Sequence, residues 1–210
     1  MKYKLLAAGI LAFLSVSTLT AQEQEQGGQD KSLYIKGNAL FAPIGILNLG
    51  IEKQISPKYT LQGDVFISPW KSFAGHKLQF YSVSAEGRYY FNEAFKHWYV
   101  GANLSVAAYN ASKWNYWSDA PMTDERGQTF IQSNLYQKGY SIMLGITGGY
   151  QFQLSEHWNL DIYATVGTAQ SFYKGYDKST GQRYDFAEKF NKSGEIIPYR
   201  GGVMISYKLK

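Results

Sequence analysis

Residues 140–153 read Tyr-Ser-Ile-Met-Leu-Gly-Ile-Thr-Gly-Gly-Tyr-Gln-Phe-Gln, and this stretch decides the fold. Large apolar side chains occupy nearly every even position from Tyr140 to Phe152, whereas the odd positions are mostly small or polar. A period of two is that of a β-strand, whose successive side chains point to opposite faces. A soluble strand is typically about 5–6 residues long, but a tilted strand needs about 9–11 residues to cross a bilayer. The stretch therefore predicts a membrane-spanning strand.

Seven further segments show the same alternation. Their apolar positions are Leu33, Ile35, Ala39 and Phe41; Leu47, Leu49 and Ile51; Leu61, Val65 and Ile67; Tyr81, Val83, Ala85, Tyr89 and Phe91; Val100, Ala102, Leu104 and Val106; Trp158, Leu160, Ile162, Ala164 and Val166; and Tyr199, Val203, Ile205, Tyr207 and Leu209. Together the eight segments predict an all-β protein, an eight-stranded antiparallel up-and-down transmembrane β-barrel.

The composition agrees with this fold class. Aromatic residues make up 17% of the 210 residues and charged residues only 18%, which excludes a disordered chain because such chains have few aromatics and much charge. The chain has no Cys, so it forms no disulfide framework, thiolate metal site or lipoprotein anchor. The net charge of +5 comes from scattered residues, and no Lys/Arg block indicates a nucleic-acid partner.

The N-terminus has the features of a secretory signal peptide. Lys2 and Lys4 form a short positive region, and an apolar run of roughly 15 residues follows, too short for a membrane-spanning helix of about 20 residues. We expect residues 1–21 to be removed by cleavage near Ala21, which leaves a mature net charge of 19 − 16 = +3. Residues 22–32 are predicted to be a flexible tail, and 33–210 the barrel.

The predicted connections alternate between short and long. Turns at 56–58, 92–97 and 155–157 are tight, the 69–77 connection is intermediate, and 110–139 and 170–197 are long and polar. Short periplasmic turns and long extracellular loops are typical of outer-membrane barrels. Aromatic residues that follow the tight turns, together with one on the last strand, predict an aromatic belt at the periplasmic interface: Tyr59, Trp98, Trp158 and Tyr207.

The charged residues distinguish the two faces of the strands. The apolar faces carry only Lys53, beside a turn, whereas the opposite faces carry Lys36, Glu52, Asp64, Glu86, Arg88, Asp161 and Arg200. A Lys or Arg that faces lipid at mid-bilayer costs roughly 2–4 kcal/mol, so we expect these side chains to form a charge network in the barrel interior. Eight strands leave room only for side chains, which predicts a filled interior. An ion path lined by Glu52, Glu86 and Arg88 is the alternative.

The last strand carries an assembly signal. Residues 200–207 read Arg-Gly-Gly-Val-Met-Ile-Ser-Tyr, a polar-x-Gly-x-x-apolar-x-aromatic pattern that resembles the signal read by the barrel-assembly machinery. We therefore expect that machinery and outer-membrane lipid as partners, and the bacterial outer membrane as the location.

Several motifs resemble those of a known family. Residues 38–43 (Asn-Ala-Leu-Phe-Ala-Pro) and 48–52 (Asn-Leu-Gly-Ile-Glu) are similar to the opening hairpin of a family of small secreted bacterial barrels known only as a domain of unknown function. Pro69-Trp70, the run 86–91 and the run 98–101 continue the resemblance in order. The resemblance implies an eight-stranded outer-membrane barrel of the OmpA/OmpX style and no assigned catalytic residues.

The candidate functions follow from the loops and the histidines. We expect no enzyme activity, no cofactor and no resident metal, and instead a structural or surface-interaction role, with an extracellular ligand or protein bound at 110–139 and 170–197. Exposed aromatics at 113–117 and 172–176 suit such a role, although they equally suit strands that extend above the membrane. Acidic residues at 119, 124 and 125 are interpreted as solvated loop residues, with Ca²⁺ binding as the alternative. A lipid-A-modifying enzyme with His76 as its base, and a soluble lipocalin-like barrel, are the alternatives.

Overall fold

The computed structural model describes residues 31–112, 118–124, 126–185 and 190–210. Ten strands lie in this part of the chain: β1 (Leu33–Asn38), β2 (Leu47–Gln54), β3 (Tyr59–Phe73), β4 (His76–Tyr90), β5 (His97–Ala111), β6 (Pro121–Thr123), β7 (Thr129–Ile131), β8 (Leu135–Gln153), β9 (Trp158–Asp177) and β10 (Asn191–Lys208).

Eight of these strands form a closed antiparallel barrel in the order β1-β10-β9-β8-β5-β4-β3-β2. Ring strands that pair are neighbours in the chain, except that β5 pairs with β8 across the intervening β6 and β7, and β1 pairs with β10 to close the ring. The predicted fold class, an eight-stranded all-β barrel, is confirmed. Strands β6 and β7 form a separate small hairpin in the connection between β5 and β8. No helix in the described ranges is long and apolar enough to span a membrane.

The predicted long and intermediate connections are shorter than expected, because the strands extend into them. Strand β9 continues to Asp177, β10 begins at Asn191 and β8 begins at Leu135, so parts of 110–139 and 170–197 are barrel wall. The 69–77 connection is a tight turn at Ala74 and Gly75 between β3 and β4. Barrel strands above a bilayer have no lipid to face, so the apolar alternation that marks a spanning strand fades there.

The polarity of the barrel is inverted with respect to a soluble protein. Outward-facing residues of β8 are exposed, with Leu144 at 57% and Ile146 at 72%, whereas the inward-facing Thr147 is fully buried. The other strands follow the same rule, and the fully buried side chains include Arg88, Lys36, Glu52 and Glu86. The interior is therefore polar and charged, and the exterior is an apolar surface.

The height of the barrel wall varies around the ring. Strands β8, β9 and β10 are 19, 20 and 18 residues long, whereas β1 and β2 are 6 and 8 residues long. The β1–β2 connection contains a 3-10 turn at Ala42–Ile44, which Gly45 ends in the left-handed region at φ 71°. The ring thus has a tall side and a low side at the end opposite the tight turns.

Candidate functional site

The lower half of the barrel interior holds a network of ion pairs. Lys36 Nζ lies 2.7 Å from Glu52 Oε2 and 2.6 Å from Asp161 Oδ2, and it donates to Gln62 Oε1 at 3.1 Å. The side chains of Lys36, Glu52 and Asp161 are wholly inaccessible to solvent. These three charges belong to β1, β2 and β9. The two ion pairs therefore connect strands on both sides of the β1–β10 seam, where the ring closes.

Arg88 occupies the centre of this network. Its Nε donates to Glu86 Oε1 at 2.6 Å, and its Nη1 donates to Glu52 Oε2 at 3.1 Å and to Asp161 Oδ2 at 2.8 Å. The guanidinium also lies over the ring of Tyr99, 4.4 Å from the centroid. One cation thus compensates three carboxylates, which a planar group with five N–H donors can do.

Arg200 completes the network on its upper side, where it forms ion pairs with Asp64 and Glu86. The network therefore brings together all seven predicted interior charges: Lys36, Glu52, Asp64, Glu86, Arg88, Asp161 and Arg200. The set contains three cations and four carboxylates, a formal charge of −1, and each carboxylate forms an ion pair with at least one cation.

Neutral side chains provide the remaining hydrogen bonds to the carboxylates. Thr60 and Tyr90 donate to Glu52 Oε1, Tyr99 donates to Asp161 Oδ1 at 2.8 Å, and Thr147 and Asn103 donate to Glu86 Oε2. Every barrel strand thereby contributes to the interior charge network. The sequence interpretation did not assign these hydrogen-bonding roles, although these residues share the inward-facing parity of the charged positions.

The tight turn between β4 and β5 closes the barrel interior beneath the network. Phe95 is only 4% exposed, although it lies in a turn, and its ring centroid is 4.3 Å from that of Tyr34. Its backbone lies in the left-handed region at φ 67°, which is uncommon for an aromatic residue. Asn159 Nδ2 donates to the Phe95 carbonyl at 3.3 Å. The turn therefore inserts an aromatic plug into one barrel mouth.

The upper interior, by contrast, holds an apolar cluster among buried serine side chains such as Ser68 and Ser141. Ala107, Met143 and Ala169 form a buried cluster against which Phe80, Ile197 and Tyr199 pack. The Phe80 ring lies 5.9 Å from that of Phe66, which in turn is 5.3 Å from that of Phe41 in the β1–β2 connection. We call this lining, formed by Phe41, Phe66, Phe80, Met143, Ile197 and Tyr199, the upper chamber.

Tyr199 is one residue that the sequence interpretation placed on the wrong face. A bulge between Pro198 and Arg200 shifts the register of β10 against β9. As a result Tyr199 and Arg200 both face the interior, and the Tyr199 hydroxyl donates to Asn103 Oδ1 at 2.9 Å. A single extra residue reverses the parity of a strand.

The residues predicted to form the aromatic belt are exposed near the tight turns. Tyr59, Trp98, Trp158 and Tyr207 are 39–62% exposed. Their rings pack in pairs: Tyr59 against Tyr89, Trp98 against Tyr150 at 5.0 Å, and Trp158 against Tyr207 at 4.9 Å. Tyr150 and Phe152 extend the belt along β8, 4.4 Å apart.

The acidic loop residues that were the alternative Ca²⁺ ligands form hydrogen bonds within their own loop. Asp124 Oδ1 accepts the backbone N–H groups of Arg126 and Gln128, and Asp119 accepts from Ser133. Residues 113–117 and 125 lie outside the described part of the chain. Among the residues that the structure does describe, no cluster of three His, Asp or Glu side chains is arranged to hold a metal ion.

The 172–176 segment belongs to the wall and not to a loop. It lies in β9, where Phe172 stacks on Tyr140 at 5.0 Å and Tyr176 stacks on Tyr136 at 5.6 Å. At the end of β9, Asp177 Oδ1 accepts hydrogen bonds from Ser179 and Thr180. Desolvation acts to raise the pKa of Asp177, but these hydrogen bonds outweigh it and lower the pKa below its usual value.

Comparisons with known proteins give a family and a structural neighbour. A family model described as a protein of unknown function, DUF3575, matches residues 10–209. A search of curated proteins gives no match. The crystal structure of Neisserial surface protein A is similar at 16% sequence identity, covers 88% of this chain and 100% of its own, and has a TM-score of 0.39.

Proposed function

We propose that this chain, which belongs to the DUF3575 family, is an integral outer-membrane barrel that presents its tall wall and loops to the cell exterior. The family match covers residues 10–209, which is most of the chain. The proposal depends on the inverted polarity of the barrel. Membrane insertion, orientation, surface role and the closed interior are each supported by a separate observation.

The apolar exterior supports insertion into a bilayer. Soluble monomers rarely expose contiguous apolar patches larger than a few hundred Å², yet this barrel exposes large apolar side chains on every strand of the ring. The exposed set includes Ile35, Leu49, Leu61, Val83, Leu104, Leu144, Ile162 and Ile205. A soluble lipocalin-like barrel would bury such residues around its ligand, so the polarity favours the membrane alternative.

The two barrel ends support one orientation. The tight turns and the aromatic belt lie at the same end as both strand termini, Leu33 and Lys208, whereas the tall wall and the β6–β7 hairpin lie at the other end. In outer-membrane barrels the short turns are periplasmic and the long connections extracellular. We therefore place residues 118–124, 126–134 and 178–185 outside the cell.

The β6–β7 hairpin supports a surface-interaction role. It lies at the extracellular end in the proposed orientation, where Ile131 is 38% exposed beside the exposed polar residues Gln128 and Thr129. Exposed apolar groups rimmed by polar ones are typical of contact surfaces. A protein or ligand outside the cell is the partner that this surface fits.

The interior supports a barrel that does not conduct ions. The side chains of Lys36, Glu52, Glu86, Arg88 and Asp161 are all 0% exposed, and they form ion pairs across the interior. An ion path between Glu52, Glu86 and Arg88 would have to break these pairs. The network therefore favours a structural role for the interior charges.

The positions of the histidines leave one candidate base for the enzyme alternative. His97 contacts the Tyr150 hydroxyl at 3.0 Å and His157 stacks near Tyr207, so both lie in the aromatic belt at the periplasmic end. His76 lies at the far end, as the first residue of β4. A lipid-A-modifying enzyme needs its base near the outer leaflet, which leaves only His76 for that role.

Trypsin treatment of intact cells tests the orientation and the surface role. We expect cleavage after Arg126 or Lys178, both exposed in the proposed extracellular connections, while the periplasmic tail with Lys31 stays intact. Permeabilised cells are the control, in which the tail is cut as well. Cleavage of the tail in intact cells, with the 126 and 178 sites spared, would reverse the orientation and remove the surface role.

A further inference from the structure

The barrel wall has a gap between β1 and β10. Strand β1 pairs with β10 only from Asn38 opposite Met204 to Tyr34 opposite Lys208, and the Ala39 N–H adds one hydrogen bond to the Val203 carbonyl at 2.8 Å. Strand β10 nevertheless continues up to Asn191, paired with β9 on its other edge. Within the described ranges, residues 191–202 of β10 thus have no strand neighbour on the edge that faces β1.

Beyond Ala39, the β1–β2 connection is held by contacts with β3. Trp70 of β3 donates its indole N–H to the Ile44 carbonyl at 2.9 Å, and Phe41 packs edge-on against Phe66 of β3 at 5.3 Å. Both contacts hold the connection against β3. The low side of the wall is therefore anchored to β3, whereas residues 191–202 of β10 have an unpaired edge within the described ranges.

The gap lies at membrane depth if the barrel has the proposed location. Tyr207 belongs to the aromatic belt, and about 9–11 residues of a tilted strand cross a bilayer. The free edge from residue 197 to residue 202 is therefore level with the lipid. Unpaired backbone at this depth is tolerated only where it lines a cavity that supplies polar contacts.

The upper chamber lies directly behind the gap. Ile197 and Tyr199 belong to β10 on one side of the gap, and Phe41 belongs to the β1–β2 connection on the other side. Phe66 and Phe80 continue the lining between these sides, and all five residues are partly exposed. The apolar surface thus runs from the gap into the interior, and the interior charge network closes it below.

The free edge of β10 is unsuited to pairing with another strand. Pro198 has no N–H to donate, the bulge at Tyr199 breaks the register, and the exposed Lys192 and Glu195 place charges along the edge. Proline, bulges and charges are the features that protect sheet edges from strand addition. A flexible apolar chain therefore fits the gap better than an added β-strand does.

We propose that this gap is a lateral portal through which an acyl chain of an outer-leaflet lipid enters the upper chamber. The chain would lie against Phe66, Phe80 and Tyr199, and the ester and hydroxyl groups of the lipid would meet the free backbone edge of β10. The proposal rests on the proposed membrane location. It assigns an amphiphile-binding site in the interior, in addition to the surface role of the loops.

Fluorescence quenching by brominated lipid tests the portal. The chain has no Cys, so Phe80→Cys can be labelled with bimane in the chamber, and Tyr81→Cys can be labelled on the lipid-facing side of the same strand. Each protein is refolded into vesicles of phosphatidylcholine with or without bromine on the acyl chains. We expect both labels to lose emission to a similar extent, since acyl chains reach both positions.

Two comparisons make the result specific. Ala107→Phe fills the chamber, so in combination with the Phe80 label it should restore emission in brominated lipid and leave the Tyr81 label unaffected. If quenching at position 80 persists in that variant, bromine acts through the wall and the portal is wrong. If only the Tyr81 label is quenched, the portal is wrong but the membrane location stands. If neither label is quenched, the proposed location itself fails.

Discussion

Arg88 Nη1 lies 2.8 Å from Asp161 Oδ2, although the two residues are separated by 73 positions in the chain. Arg88 belongs to β4 and Asp161 to β9, two strands that do not pair with each other in the ring. Their contact therefore crosses the interior. It forms only when the barrel is closed, so the interior charge network depends on the complete ring.

Removal of Arg88 should strongly destabilise the barrel. Arg88→Ala leaves Glu52, Glu86 and Asp161 buried with less compensation, and breaking a buried ion pair in this way costs about 3–5 kcal/mol. Lys71→Ala, on the exposed part of β3, is the matched control and should change the free energy of unfolding little. Urea titration of the refolded proteins measures both. Equal midpoints would show that Arg88 does not stabilise the interior.

The aromatic plug predicts a second difference in stability. Phe95→Ala removes a ring that packs against Tyr34 and Tyr90, and such core truncations typically cost about 3–5 kcal/mol. Phe91→Ala, in the same turn but 51% exposed, should cost less. The substitution at 95 leaves a non-glycine residue at the same positive φ, so backbone strain does not enter the comparison. A larger loss at Phe91 would contradict the plug.

The turn after β9 should open at acidic pH. The pKa of Asp177 is lowered in the folded state, so its contribution to stability is complete above the unfolded value of about 3.9 and is lost as the pH falls through the folded value. Amide exchange protection of Ser179 and Thr180 should therefore decrease at low pH. Asp177→Asn should have weaker protection at neutral pH and a flatter pH dependence. Protection that is independent of pH in the native protein would refute this role.

Overproduction should leave lipid A unchanged. If His76 were a general base, its loss would remove a rate factor of typically 10²–10⁴. We expect mass spectrometry to find the same lipid A with the native protein, with His76→Ala and with an empty vector. An acyl chain gained or lost with the native protein, and restored by His76→Ala, would establish the enzyme alternative.

The strand pattern was predictable from sequence because each spanning strand faces lipid on one side and a polar interior on the other. Residues 140–152 of β8 show this alternation with few exceptions. The limits of the strands were less predictable. Pro69 indicated a connection, yet it lies within β3 opposite Gln79. On its other side β3 has no paired β2 residue beyond Ile67, so a missing N–H there costs no ladder hydrogen bond.

The identity of the charged interior residues was also predictable, but their pairing was not. Parity places Glu86 and Arg88 on one face, whereas the contact of Arg200 with Asp64 and Glu86 depends on the shear of the ring and on the bulge near Tyr199. The inserted turn with Phe95 left no periodic signal, because it depends on a left-handed backbone that the sequence does not mark with glycine. The pairing of the charges and the inserted turn depend on contacts between residues far apart in the chain, which a local sequence pattern does not contain.

The central claim is that lipid covers the outer face of the barrel and does not reach the interior charge network. Spin labels on single cysteines at residues 142–147 of β8, in the protein reconstituted into vesicles, test it most directly, because the native chain has no Cys. We predict that oxygen, which partitions into lipid, relaxes labels at Ile142, Leu144 and Ile146 and not at Thr147, which lies within the interior charge network. Preferential relaxation of the labels at 142, 144 and 146 by a water-soluble nickel complex would contradict the claim.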